Sequence, residues 1–358
     1  MPIYVVAEQI GLDNYWINDI LSGIKREADK KNLKVESFPL NMISGTESPV
    51  VLVVGYSHFW LSGICRRVLE CGARPLCVNA PASAVKEPIA GSVCFDYSGA
   101  VSEMLEYLAQ CGKRRIAFMG AKGNRLSFEC KSEAFKLAAS RYHFERNDVF
   151  ECPELQNLGD VLMTQSSFYD AVICSRDVEA GVLIKQLKKY GISLPQDVFI
   201  ISFGNSSLSE ILSPTLTTAE VDYFALGEEA VRLSRYLSQN RTGFLVESRV
   251  RCPIIVREST DGINIEQHPE VLTQKSFPKQ NDSEYALFLQ AEQLVRCWDS
   301  VDRSIVLAFM EGKNTAAVAE KLFISQSSVK YRLKKMLTGA KIKDKSQLIF
   351  IVERYGLL

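Results

Sequence analysis

Between Lys321 and Lys345 the chain carries eight basic residues, Lys321, Lys330, Arg332, Lys334, Lys335, Lys341, Lys343 and Lys345, against one acid, Asp344. Ammonium and guanidinium groups at this density suit the neutralisation of phosphates. A run of like charge is also what a solvated surface looks like. The elements that hold these residues decide between the two.

Those elements are short helices. Asp299 is placed to cap a helix over 300–311, which Gly312 ends, and 315–322 reads as a second helix with Val318, Ala319 and Leu322 on one face. Phe323 and Ile324 make a turn, and Ser325 caps a third helix over 326–337 whose inward positions are Val329, Leu333 and Met336 or Leu337. A fourth helix covers 346–355. A short helix, a tight turn and a basic helix have the spacing of a helix-turn-helix. Ahead of them, 284–298 is helical, with Phe288, Leu289, Ala291, Leu294, Val295 and Trp298 forming a stripe that packs either within this module or on a second subunit, the first being the simpler expectation.

Elsewhere the sequence offers little reactive chemistry. Lys plus Arg equal Asp plus Glu at 42 each, so the basic run is local and not a property of the whole chain. The ten cysteines form no C-x-x-C pair and the three histidines, His58, His143 and His268, are far apart, so no metal or cofactor is expected. Neither a nucleophile–base pair nor a phosphate loop is visible, which argues against an enzyme. The first residues lack a basic region and meet Glu8, and no run of 18 apolar residues exists, so neither a secretory leader nor a membrane span is expected. A cytoplasmic protein with reduced, mostly buried thiols is the corresponding expectation.

The first 260 residues alternate apolar runs with amphipathic stretches. Strands are predicted at 2–7, 33–40, 50–55, 76–79 and 92–95, with helices at 17–31, 61–70 and 99–110 between them. The rhythm repeats with strands at 115–120, 171–174 and 198–203 and helices at 130–140 and 178–190. This is an α/β chain with parallel sheets, in two lobes of about a hundred residues each, with a ligand expected in the cleft at the carboxyl ends of the strands. Residues 261–283 are polar, contain two prolines and read as a linker.

Four ordered stretches, QCGKRRIAFMG (110–120), LPQDVFIISF (194–203), SPTLTT (213–218) and PIIVREST (253–260), resemble the LacI/GalR-type regulatory domain, a periplasmic-binding-protein-like fold, over residues 3–260. The resemblance implies three chain crossings between lobes, near Asp96 and Tyr97, near Val221 to Tyr223, and near Glu247 to Arg249. It also implies a DNA-binding headpiece before the first strand. This sequence opens at that strand, so the reader is expected at the other end.

Aligned by the same resemblance, an Arg used by sugar-binding members becomes Lys131, which lacks a planar fork for two hydroxyls. An Asn-Asp pair becomes Arg176-Asp177, and a carboxylate expected after Phe203 becomes Gly204, followed by Asn205. Tyr15, Trp16 and Tyr223 are aromatic residues available to pack on a ring. The loss of one acid and gain of one base shift the expected effector toward an anionic or sugar-derived small molecule. The competing expectations are that Trp16 and Tyr15 are core residues, that Arg176 pairs with Asp177 or Glu179, and that the lobes take no ligand and serve dimerisation or a partner protein.

The C-terminal module resembles the LuxR-type helix-turn-helix over its whole length, most specifically in VAEKLFIS (318–325) followed by Ser328-Val329-Lys330. The family's usual Arg, Glu and Lys-Leu positions fall instead on Val301, Ala317 and Gly339-Ala340. The resemblance implies that Gln326, Ser327, Lys330, Tyr331 and Lys334 face double-stranded DNA, Gln326 at an adenine edge and the two lysines at phosphates. The expected organisation is a sensor at 1–260, a linker at 261–283 and a helix-turn-helix domain at 284–358, acting as a homodimer on a two-fold site.

Overall fold

The computed structural model describes residues 2–8, 15–40, 48–121, 125–152, 158–164, 169–240, 243–260, 283–355 and 357–358. Residues 261–282 of the expected linker lie outside these residues, as does the side chain of Tyr15, while the last linker position, Ser283, is instead the first residue of a helix.

Two six-stranded sheets are present. The first runs β11(Val246–Val250), β5(Gly91–Phe95), β4(Arg74–Val78), β3(Val50–Val54), β1(Ile3–Ala7), β2(Val35–Ser37). Every pairing in it is parallel. All five residues of β3 are buried, as an unalternating Val/Leu run covered on both faces requires. The strand expected over 33–40 shrinks to three exposed residues at the sheet edge, paired on one side only, and Lys34 and Glu36 stay in water.

The second sheet runs β12(Ile254–Ile255), β10(Thr217–Glu220), β9(Phe199–Gly204), β8(Ala171–Cys174), β6(Arg115–Ala121), β7(Arg146–Cys152). From β7 through β9 it is parallel. In each sheet the chain winds one way and then the other, reversing between β1 and β3 in the first and between β6 and β8 in the second. Crevices open at such reversals, outside the strand carboxyl ends, because neighbouring connections leave toward opposite faces.

The helices are α1(Tyr15–Lys30), α2(His58–Glu70), α3(Tyr97–Gln110), α4(Arg125–Ala139), α5(Leu158–Thr164), α6(Asp177–Lys189), α7(Ser207–Ile211) and α8(Tyr223–Gln239). No element is expected from the sequence motifs at β7, α5 or α8, yet α8 buries Leu226, Ala230, Val231, Leu233 and Leu237 at helical spacing.

The chain forms two compact units: Met1–Tyr107 with Gly123–His143 and Glu220–Ile254, and Leu108–Lys122 with Phe144–Ala219 and Ile255–Leu358. The boundary at 219/220 adjoins the expected crossing, and that at 254/255 follows the expected one by a few residues. The first expected crossing moves into α3, and α4 corrects the reading further. Expected within the second repeat, α4 belongs to the first unit, because Leu126 and Cys130 join Leu61, Ile64 and Ala84 in its core.

The C-terminal helices are α9(Ser283–Cys297), α10(Ser300–Met310), α11(Thr315–Lys321), α12(Gln326–Gly339) and α13(Lys345–Tyr355). Asp299 caps α10 in a reciprocal box with Asp302, Asn314 caps α11 and Ser325 caps α12. Their core gathers Leu294, Trp298, Ile305, Phe309, Val318, Val329, Met336 and Leu348. No helix among the described residues is long and apolar enough to cross a membrane.

Candidate functional site

In the second unit the reversal between β6 and β8 is built around two acids at the start of α6. Asp177 is buried, 3% exposed, and is the centre of a hydrogen-bond knot. The Ser202 hydroxyl donates to Asp177 Oδ1, Thr218 Oγ1 donates to the same oxygen at 2.7 Å, and the Ser206 amide donates to Oδ2 at 2.7 Å. These donors come from the ends of β9 and β10 and from the loop before α7, so one carboxylate ties three adjacent segments. Burial raises the Asp177 pKa, and the donors from Ser202, Ser206 and Thr218 oppose the rise.

Gly204 is part of the knot. Its φ is +143°, and a Cβ built there would lie 2.7 Å from Asp177 Oδ2, so both conformation and space select glycine. A side chain in place of Gly204, such as the carboxylate expected after Phe203, would meet Asp177 Oδ2. Asn205 adopts φ +49°; its Oδ1 accepts from Arg257 Nη2 at 2.8 Å, and its amide donates to Thr218 Oγ1 at 3.2 Å.

Arg176 pairs with Glu179, not Asp177. Its Nε and Nη2 reach Glu179 Oε1 at 3.1 and 3.0 Å, and the Ala121 amide donates to the same oxygen at 3.0 Å. Glu179 thereby joins α6 to the last residue of β6. Its other oxygen, Oε2, is buried without a hydrogen-bond partner among the described residues. The sequence names Glu179 only as a partner for Arg176; its place between β6 and α6 follows once those strands are neighbours.

The first unit supplies an aromatic row. Trp16 packs between Tyr56 and Tyr223 at centroid distances of 5.7 and 5.9 Å, Tyr223 meets Phe95 edge-on at 5.2 Å, and Phe95 leads to Tyr97 at 5.8 Å. Lys131, 4% exposed, holds its ammonium 4.8 Å from the Tyr97 ring centre. Burial is the largest influence raising the Tyr97 hydroxyl pKa. Glu8, at the end of β1, accepts from the Tyr56 and Ser57 amides at 2.9 and 3.3 Å, so the start of α2 already faces a carboxylate. Trp16, Tyr223 and Lys131 therefore fall in the first unit and Arg176, Asp177 and Asn205 in the second. Sequence reasoning missed Tyr56, Phe95, Tyr97 and Glu8; all four sit at or just beyond a strand carboxyl end, which is the signal that finds them.

On α12 all five residues expected at DNA, Gln326, Ser327, Lys330, Tyr331 and Lys334, are exposed. Neighbouring cations are turned to other duties. Arg332 Nη1 bonds Asp299 and Asp302 at 2.8 Å each, Lys335 lies 3.8 Å from Asp302, and Lys321 meets Glu311 at 2.8 Å. Lys330 and Lys334 have no ion-pair partner among the described residues. Phe323, in the turn before α12 at φ +54°, is 96% exposed.

A contact joins α6 to this helical module. Phe288 of α9 is buried in the second unit's core with Leu183, Leu187 and Leu208, and a Cβ on Gly181 would come within 3.1 Å of its ring. Tyr355 of α13 packs on Phe288 at 4.5 Å. The stripe on α9 is therefore divided: Phe288 and Leu289 leave the module for the α/β core, and Ala291 through Trp298 stay. This outer layer explains why α6 buries an unbroken run from Asp177 to Ile184, covered by sheet on one side and helices on the other.

All ten cysteines are free thiols, seven of them buried. No group of His, Cys, Asp or Glu that could hold a metal ion is found among the described residues.

Comparison with known proteins agrees with the fold. Residues 105–260 match a family described as a periplasmic binding protein-like domain. Catabolite control protein A of Staphylococcus epidermidis is 25% identical over 158 residues, covering 43% of this chain and 48% of that protein. The NTD biosynthesis operon regulator NtdR of Bacillus subtilis is 24% identical over 271 residues, 70% of this chain and 79% of the relative. Among solved structures, a complex of the transcriptional regulator CelR with cellobiose superposes with a TM-score of 0.59 at 17% identity, over 72% of this chain and 84% of that one. The chain spans about half the length of the first curated relatives it matches. The two-sheet, periplasmic-binding-protein-like fold expected from the four motifs is borne out; the matched family segment ends at Thr260 and does not extend to α9–α13.

Proposed function

We propose that this chain is a transcription regulator: a sensor at 1–260 takes a small anionic or sugar-derived molecule, and a LuxR-type helix-turn-helix at 284–358 reads double-stranded DNA, as a cytoplasmic homodimer without enzymatic activity. The observation that carries this reading is the division of labour on α12. Arg332 and Lys335 are spent on Asp299 and Asp302 inside the module, whereas Lys330 and Lys334 stand exposed and unpaired beside Gln326, Ser327 and Tyr331. The similarity to regulators, including one solved with cellobiose, supports the sensor half.

Effector and DNA are coupled through α6. Arg176 immediately precedes it, its first turn carries Asp177 and Glu179, and its middle holds Gly181 and Lys185 against Phe288 and Tyr355. A ligand that rearranges the first turn changes the seat of α9 and α13. Binding linkage then requires DNA to change effector affinity by the same factor.

A second reading, in which the α/β part binds no small molecule and serves dimerisation or a protein partner, is favoured by one fact. Asp177, Asn205 and Arg176 are each engaged by groups of their own chain. A thermal-shift screen of sugars, sugar phosphates, nucleosides and organic acids separates the two. Ligand at a hundred times its dissociation constant stabilises by about 2.7 kcal/mol, and silence across the panel favours the second reading. DNA binding is tested by anisotropy on promoter fragments; retention of full affinity by the Lys330→Ala, Lys334→Ala double variant would sink the assignment of α12.

A further inference from the structure

The first unit holds a cavity of about 470 Å³ at the amino-terminal edge of its sheet, the end opposite the aromatic row. The starts of β1, β3 and β4 (Ile3, Val50 and Arg74) form one wall, and the last turns of α8 (Ser234, Arg235 and Ser238) the other. Its volume falls within the roughly 300–1,000 Å³ of small-metabolite sites.

Among the described residues, two guanidinium groups line it and no carboxylate does. Arg74 is oriented by backbone, its Nε donating to the Ser48 carbonyl at 3.3 Å and its Nη2 to the Leu237 carbonyl at 3.0 Å. Arg235 is partly buried and has neither an ion pair nor a hydrogen bond among the described residues. The contrast with its own helix is informative. One turn earlier, Arg232 lies within 3.4 Å of Glu27, Glu228 and Glu229. The sequence thus neutralises Arg232 threefold and gives Arg235 nothing, although a half-buried cation is stable chiefly when an anion meets it.

We propose that this cavity is a second ligand site, specific for a small metabolite bearing a phosphate or carboxylate group. The anionic oxygens are gripped by Arg235 and Arg74, and Pro2, Ile3 and Leu33 pack on the carbon frame. The site is independent of the strand carboxyl ends and of the helix-turn-helix module, so it stands whether or not the proposed function does.

Isothermal titration of the full chain with inorganic phosphate and, separately, with citrate provides the test. Saturable binding of at least one probe is expected, weakened tenfold or more by Arg235→Gln and unchanged by Arg176→Gln. Phosphate alone assigns a phosphorylated ligand, and citrate alone a carboxylated one. Ser238→Glu, an exposed position that places a carboxylate at the cavity, must weaken binding in the same direction and decides the matter if Arg235→Gln does not fold. Absence of saturable binding by both probes overturns the proposal. So does binding that survives Arg235→Gln, since anions would then sit on the α12 lysines, or binding lost on Arg176→Gln. If Arg235 merely complements the carboxyl end of α8, its removal lowers the melting temperature and leaves the titration flat in every variant.

Discussion

The ammonium of Lys185 lies 3.6 Å from the centre of the Tyr355 ring and 4.7 Å from that of Phe288. One residue in the middle of α6 thus holds both the first and the last helix of the C-terminal module, eight residues after the Asp177 knot. Phe288 is the larger part of this joint. Replacing it with alanine removes a buried ring of a kind that costs about 3–5 kcal/mol, whereas Lys185→Met removes a cation–π contact of about 0.5–2 kcal/mol. Calorimetry of Phe288→Ala is expected to show the module melting apart from the α/β core. A single unshifted transition would mean that the contact contributes nothing to cooperativity, and the proposed route from α6 to α12 would lose its basis.

The lysines of α12 separate by salt. Lys330 and Lys334 are exposed and unpaired, so each is expected to contribute one phosphate contact, and each alanine variant should reduce the slope of log affinity against log salt by about 1. Arg332→Ala should behave differently. It strips Asp299 and the buried Asp302 of their shared partner, lowering the melting temperature first and DNA affinity only as a result. An Arg332→Ala protein with native stability and a reduced salt slope would place that guanidinium on DNA.

How much of this was legible in the sequence depended on whether a residue's role is local. The caps Asp299 and Ser325, the turn at Phe323 and Ile324, and the buried Val318, Val329 and Met336 are set within a few residues along one helix, and periodicity finds them. The unbroken apolar run of β3 announces a strand covered on both faces for the same reason. Glu8 acquires its role only when β1 and β3 become neighbours, and Phe288 looks like its stripe-mates until α6 supplies Gly181 as a seat. The Arg176–Glu179 pairing was open between two acids because both lie on the first turn of one helix; the choice is made by the Ala121 amide, which fixes Glu179 from another strand. The α4 helix misled because its sequence rhythm is indifferent to which core its apolar face joins.

Acid should loosen the module in a defined window. The Arg332 hydrogen bond, with the Asp302 amide assisting, lowers the Asp299 pKa to about 2, and hydrogen bonds from Lys313 and Lys321 lower that of Glu311 to about 2. A carboxylate whose folded pKa is depressed contributes stability fully above its unfolded value, near 4, and loses it as pH falls through the folded value. Module stability followed by circular dichroism is therefore expected to be flat from neutrality to about pH 5 and to fall between about pH 4 and 2. Asp299→Asn should be less stable at pH 7 and lose less on acidification. A parallel pH profile for wild type and Asp299→Asn would show that the Arg332 pairing has no weight in solution.

Gly204→Ala probes the knot without touching a charge. The added methyl meets Asp177 Oδ2 at 2.7 Å on a backbone at φ +143°, so the carboxylate must leave the donors of Thr218 and Ser206 or the strand end must move. Backbone strain of this kind costs about 1–3 kcal/mol before the displaced hydrogen bonds are counted. Gly72→Ala is the control: its φ of +75° is also left-handed, but nothing lies within 4 Å of the added carbon, so only conformational strain of about 1–2 kcal/mol is expected. If the start of α6 forms the effector site, Gly204→Ala abolishes the thermal shift given by whichever compound stabilises the wild type, and Gly72→Ala keeps it. Equal shifts in both variants would detach the Asp177 knot from ligand recognition and leave it as a structural tie between β8, β9 and β10.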